Sequence, residues 1–117
     1  GAPSDNRNNG SISVFVLKND VWVSRGQKLV GNTNGKLGSA VAISGDGNTI
    51  VGGEPTHGNG KVHIFRWNNN NDTWERLGDE IVGTAAYSGQ GFSVAIANEN
   101  PSTIIVGAPW HPVRGLV

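Results

Sequence analysis

The chain has 117 residues, with nine Lys and Arg against nine Asp and Glu, no cysteine, no methionine and only 15% charged residues. Such a balance supplies no field to steer nucleic acid or an anionic membrane, and zero cysteine excludes a disulfide scaffold and a thiolate metal site. The 18 glycines and many asparagines point to frequent turns and so to many short strands.

In chain order, Gly1-Ala2-Pro3 is followed by an apolar alternation at Ile12, Val14 and Phe15, then by Trp22 and the run Leu29-Val30-Gly31. The spacing predicts four further strands over Leu37–Ser44, Asn48–Gly53, Lys61–Trp67 and Thr73–Val82, each alternating with period two. Asp46-Gly47 supplies a hairpin turn between the first two, and Asn68 to Asp72 a looser polar loop between the last two. Gly91–Ile96 and Ile104–Pro109 complete the series. No stretch holds a helical period, and no apolar run approaches the roughly 18 residues of a membrane span.

These elements repeat. Residues 10–55 set over 60–109 align Ile12, Val14 and Phe15 with Val62, Ile64 and Phe65. Trp22, Gly26, Leu29, Val30 and Gly31 fall on Trp74, Gly78, Ile81, Val82 and Gly83. Gly38, Val41, Ala42 and Ile43 fall on Gly91, Val94, Ala95 and Ile96, and Gly1-Ala2-Pro3 returns as Gly53-Glu54-Pro55 and Gly107-Ala108-Pro109. Every drift in offset falls in a turn. A period of about 50 residues lies in the range of propeller blades.

Gly91–Ile96, Ile104–Pro109 and Gly60–Phe65 together resemble the FG-GAP repeats of integrin-type β-propellers, and the resemblance spans essentially the whole chain. It implies an all-β fold of four-stranded antiparallel blades covering about two repeat periods, an incomplete part of a larger propeller. Residues 1–31 would form the outer strands of one blade, 32–83 a complete blade, and 84–117 the inner strands of a third with the start of its next strand. Two periods cannot close a ring of at least about four blades. The implied partners are therefore the remaining blades of the same protein or, second in rank, other copies of the chain.

The resemblance also implies a ligand-facing rim built from the loops between strands. There Tyr87, Trp110, His111, Arg114 and His57 are the residues best suited to contact a protein or glycan. His57 and His111 stand two residues after the Pro of their repeats, and solvent-exposed loop histidines explain them without a metal. Trp22 and Trp74 recur at one strand position, which packing explains better than recognition. Family members with calcium place several acidic oxygens in the first hairpin of a blade. The hairpins at Ser44–Asn48 and Asn98–Ser102 offer one carboxylate each, so neither calcium nor any other cofactor is expected.

Catalysis is not expected either. Gly31–Leu37 (GNTNGKL) is one residue short of a phosphate-binding loop and lacks Ser or Thr after Lys36, and no nucleophile elbow or zinc-type cluster is present. Asn9-Gly10-Ser11 and Asn71-Asp72-Thr73 are sequons in expected turns, which makes Asn9 and Asn71 glycosylation candidates. The reading is a non-catalytic extracellular or cell-surface propeller segment for adhesion, ligand recognition or structural assembly. Its alternative is a piece of a carbohydrate-acting propeller enzyme whose active site lies in other blades. No nucleic-acid partner and no membrane insertion are expected.

Overall fold

In the computed structural model the described residues are 1–56, 58–83, 93–97 and 103–108. The chain opens with a four-residue helical turn, α1 (Asp5–Asn8), in which Asn6, Arg7 and Asn8 have φ of 50°, 57° and 69°. Asparagine tolerates this left-handed region better than most residues. Strands β1 (Ser11–Ile12), β2 (Phe15–Lys18), β3 (Val21–Ser24) and β4 (Leu29–Val30) follow. Asn19 and Asp20, at φ 50° and 64°, form the two-residue loop of the β2–β3 hairpin. Positive φ at both loop positions matches the right-handed twist of the flanking strands.

The largest sheet is built from β5 (Ala40–Ile43), β6 (Thr49–Glu54), β7 (Lys61–Asn68) and β8 (Thr73–Arg76), in sequence order. A short β9 (Ile81–Val82) returns to pair with the start of β7. In the β5–β6 turn, Asp46 Oδ1 accepts hydrogen bonds from Ser44 Oγ and the Asn48 amide, and Gly47 takes φ 75°. The carboxylate thus organises the turn locally. β10 (Ser93–Ile96) and β11 (Ile104–Gly107) pair separately, with β10 running beside β5 and β6.

One apolar core joins the N-terminal strands to the large sheet. Ile12, Leu29 and Leu37 pack with Ile50, Phe65 and Trp74, flanked by Val14 and Trp67. Gly52 permits this close approach, because a Cβ there would run into Ile12 Cδ1. At the far end of the layer, Trp74 is tied down through three polar contacts. Its indole Nε1 donates to the Arg25 carbonyl (2.9 Å), and its backbone amide and carbonyl bond the Gln27 side-chain amide (2.9 and 2.7 Å). Gln27 thereby serves Trp74 as a neighbouring strand would. Arg25 caps the cluster, its guanidinium 4.4 Å from the Trp67 ring centre and bonded to the Gly47 carbonyl.

The fold is mostly β-strand, but its sheets are open, which corrects the expected propeller. The described strands form three two-stranded sheets (β1–β4, β2–β3 and β10–β11) and one five-stranded sheet, none closed or curled into a ring. The two sequence copies also pair differently. Val62, Ile64 and Phe65 share the continuous strand β7, whereas Ile12 belongs to β1 and Phe15 to β2, in separate ladders. Matching alternation marks strands; it does not specify which of them pair, whether a sheet closes, or which of two equivalent residues is buried.

The recurring tryptophans diverge as well. Trp74 is 3% exposed, whereas Trp22 is 67% exposed. Trp74→Ala is expected to lower stability by about 3–5 kcal/mol through cavity formation, and Trp22→Ala by less than about 1 kcal/mol. Urea denaturation of both variants checks this, and equal losses would contradict the division of roles.

Candidate functional site

The largest buried ionisable cluster forms where β6 ends. Glu54 and His63 are both fully buried, and the β6–β7 register (Glu54 opposite Lys61, Gly52 opposite His63) places them diagonally across the ladder. A buried carboxylate must be hydrogen-bonded to be tolerable. Glu54 Oε2 accepts from the Asn32 amide and Oε1 from Asn32 Nδ2, both at 2.7 Å. His63 Nε2 lies 3.5 Å from Glu54 Oε1, long for a hydrogen bond but close for charge. It is the one buried side-chain polar atom without a hydrogen bond among the described residues.

The other imidazole nitrogen faces outward. Arg76 Nη1 is 2.8 Å from His63 Nδ1, and since a guanidinium only donates, Nδ1 is the acceptor. In the neutral ring the proton then sits on Nε2, directed at Glu54. Beyond it, Glu80 lies 3.6 Å from Nδ1, 3.9 Å from Arg76 and 2.9 Å from Lys61 Nζ. Lys61, first among its neighbours, holds the Glu80 carboxyl below its ordinary value. Burial on its own would raise the Glu54 carboxyl, but His63 and the two Asn32 donors outweigh it and hold the group at about 2.

The loop over Glu54 is the stretch that brushed against a phosphate-binding sequence. Its amides are spent inside the protein. Gly31 donates to the Gly10 carbonyl, Asn32 to Glu54, Asn34 to Asn9 Oδ1, Gly35 to the Asn32 carbonyl, and Lys36 and Leu37 to the Asn8 and Asn9 carbonyls. Gly31 and Gly35 allow the wrap, since a Cβ at either would lie 2.5 Å from the Glu54 side chain. The anion in this cradle is the protein's own carboxylate. Sequence reasoning passed over Glu54, although it interrupts a repeat position held by Ala2 and Ala108. His63 falls within the strand expected over Lys61–Trp67, where alternation alone names no partner for it.

A different surface is open. Between the N-terminal strands and β5–β6 runs a groove of about 270 Å³, lined mainly by Ile12, Val14, Phe15, Val41, Ile43 and Ile50. Phe15, Val41 and Ile43 are each about half exposed. Among the described residues there is no group of three or more His, Cys, Asp or Glu placed to hold a metal ion. No helix of the described residues is long and apolar enough to cross a membrane.

The expected rim residues Tyr87, Trp110, His111, Arg114 and His57 lie outside the described residues. The two sequons are described and lie apart, Asn9 half-buried beside the 31–37 loop and Asn71 exposed at the β7–β8 turn.

No protein-family model matches this chain, and no curated protein matches it. With the open sheets, this overturns the integrin-type resemblance and what was drawn from it. The corrections cover the adhesion, recognition and assembly roles, and the propeller-enzyme alternative. They extend to the partners expected from such a propeller, whether missing blades, further copies or a ligand on its rim.

Because folding lowers the Glu54 value from 4.5 to about 2, its stabilisation is complete above about pH 4.5 and fades as pH falls toward 2. The part lost is about 3 kcal/mol. Denaturant titrations across this range should show the slope in the parent chain and a flatter profile in Glu54→Gln. Gly31→Ala should cost more than about 2 kcal/mol, because the added methyl displaces the Asn9 carbonyl or the carboxylate. A neutral result there would refute the wrapped geometry.

Proposed function

We propose that this chain is a non-catalytic module of an extracellular or cell-surface setting that holds a small, uncharged, apolar ligand in the groove between its layers. The observation that carries the reading is the groove itself, where half-exposed Phe15, Val41 and Ile43 stand over a floor containing Ile12 and Ile50. Apolar side chains left half in water gain from being covered, at roughly 25 cal/mol per Å² of apolar surface. An engineered apolar cavity of about 150 Å³ accepts benzene, so a space of about 270 Å³ suits a ligand of roughly ten non-hydrogen atoms. The lining presents no charged side chain, which selects against ions.

Support for a non-catalytic role comes from the ionisable cluster. General acid–base work needs a group within reach of substrate, and Glu54 and His63 are sealed from it and committed to internal partners. The loop amides that could have held a phosphate are likewise engaged. The outer setting is favoured by the Asn71 sequon, whose asparagine is exposed at the β7–β8 turn.

The test is a titration with 1-naphthol followed by NMR. Saturable shifts are expected at Phe15, Val41 and Ile43, with a Kd on the order of 0.1–1 mM for a ligand of this size. Ile43→Asp, at a half-exposed position, should weaken binding at least tenfold while the thermal midpoint stays nearly unchanged. Shifts that do not saturate, or that map to another surface, would remove the reading.

A further inference from the structure

We infer that Asn71, and not Asn9, is an acceptor for an N-linked glycan, because only the Asn71 sequon presents its amide free of internal partners at an exposed hairpin tip. The inference rests on the extracellular or surface setting proposed above, since transfer of this kind takes place in the secretory lumen. Both sequons satisfy the Asn-X-Ser/Thr pattern, so the sequence does not separate them. The structure does.

Asn69, Asn70, Asn71 and Asp72 form the exposed loop between β7 and β8, closed by the Asn68–Thr73 pair. The loop is held from its base. Asn68 Oδ1 accepts the Asn70 amide at 2.9 Å, and Asn68 Nδ2 donates to Glu75 Oε1 at 2.9 Å. Asp72 takes φ 53°, the left-handed geometry that closes such a turn. The Asn71 side chain itself makes no hydrogen bond among the described residues, so a sugar on Nδ2 displaces nothing. Thr73, whose hydroxyl the transferase must read, is half-exposed at the start of β8.

Asn9 differs on each count. Its side chain is half-buried, and its Oδ1 accepts the Asn34 amide from the 31–37 loop. Its carbonyl accepts the Leu37 amide, which binds this backbone into the contact between layers. The hydroxyl of its sequon belongs to Ser11, which is 1% exposed and donates to Asp5 Oδ2 at 2.8 Å. An enzyme reading that hydroxyl would have to open the β1 edge.

In the transfer, Asn71 Nδ2 bonds to the anomeric carbon of an oligosaccharide carried on a lipid pyrophosphate. The anomeric carbon–oxygen bond to the carrier breaks, the lipid pyrophosphate leaves with that electron pair, and the amide gives up one proton. No oxidant or reductant takes part. The glycan would stand at the tip of the β7–β8 hairpin, whose residues are not among those that line the groove.

The test routes the full chain through the secretory pathway of a eukaryotic host with an appended signal sequence. Intact mass is read before and after peptide-N-glycosidase digestion. A single glycan is expected in the parent chain and in Asn9→Gln, and its loss in Asn71→Gln. Thr73→Ser should keep the glycan and Thr73→Ala should lose it, which holds the acceptor asparagine constant. Occupancy at Asn9, at both sites equally, or at neither in secreted, protease-resistant protein overturns the inference. Forced routing reads acceptor chemistry alone. The mass of the protein from its own source reads the setting, so a wrong setting and a wrong acceptor give different results.

Discussion

The rest of the structure is arranged around one buried charge. Glu54 ends β6 with no exposure to solvent, and an isolated carboxylate there would cost several kcal/mol. Its two oxygens therefore dictate their surroundings. Asn32 must turn both its amides inward, Gly31 and Gly35 must lack side chains, and His63 must present the proton-bearing side of its ring. The Arg76, Glu80 and Lys61 chain then sets the imidazole from the outside. Because the 31–37 loop also donates across to residues 8–10, a charge on the large sheet fixes where the N-terminal strands lie.

A second clamp stands at the opposite end of the same layer. Trp74 with Arg25 and Gln27 is mostly apolar in substance but directional through its polar edges. Two separated attachments prevent the N-terminal strands from pivoting on the sheet. Between them lies the buried core of Ile12, Leu29, Leu37, Ile50 and Phe65, and the groove opens where Phe15 faces Val41 and Ile43 of β5.

Much of the local structure was legible in the residues. Period-two alternation located β5, β6 and β7, whereas the strand expected over Thr73–Val82 breaks after Arg76 and resumes as β9. Asp46-Gly47 located a turn that the Asp46 carboxylate does organise. The same reading extended a real repeat too far. Trp22 and Trp74 occupy equivalent sequence positions, yet one is solvent-exposed and the other is the central anchor. The difference lies in what reaches them, because Gln27 and Arg25 meet Trp74 from a part of the chain almost 50 residues away. Glu54 was missed for a related reason. At the position held by Ala2 and Ala108 it reads as a tolerated variation, and only its contact with Asn32 shows that it organises a loop.

The sequence by itself determined what depends on near neighbours: strand character from alternation, turns from Gly, Asn and Asp, and the absence of a steering charge from composition. Tertiary structure decided which strands pair, that the sheets stay open, which tryptophan is buried, and which of two identical sequon patterns is free. These outcomes turn on contacts between residues far apart in the chain. Such contacts are selected by three-dimensional packing and by the need to satisfy buried polar groups, neither of which is written in the spacing of residues along one strand.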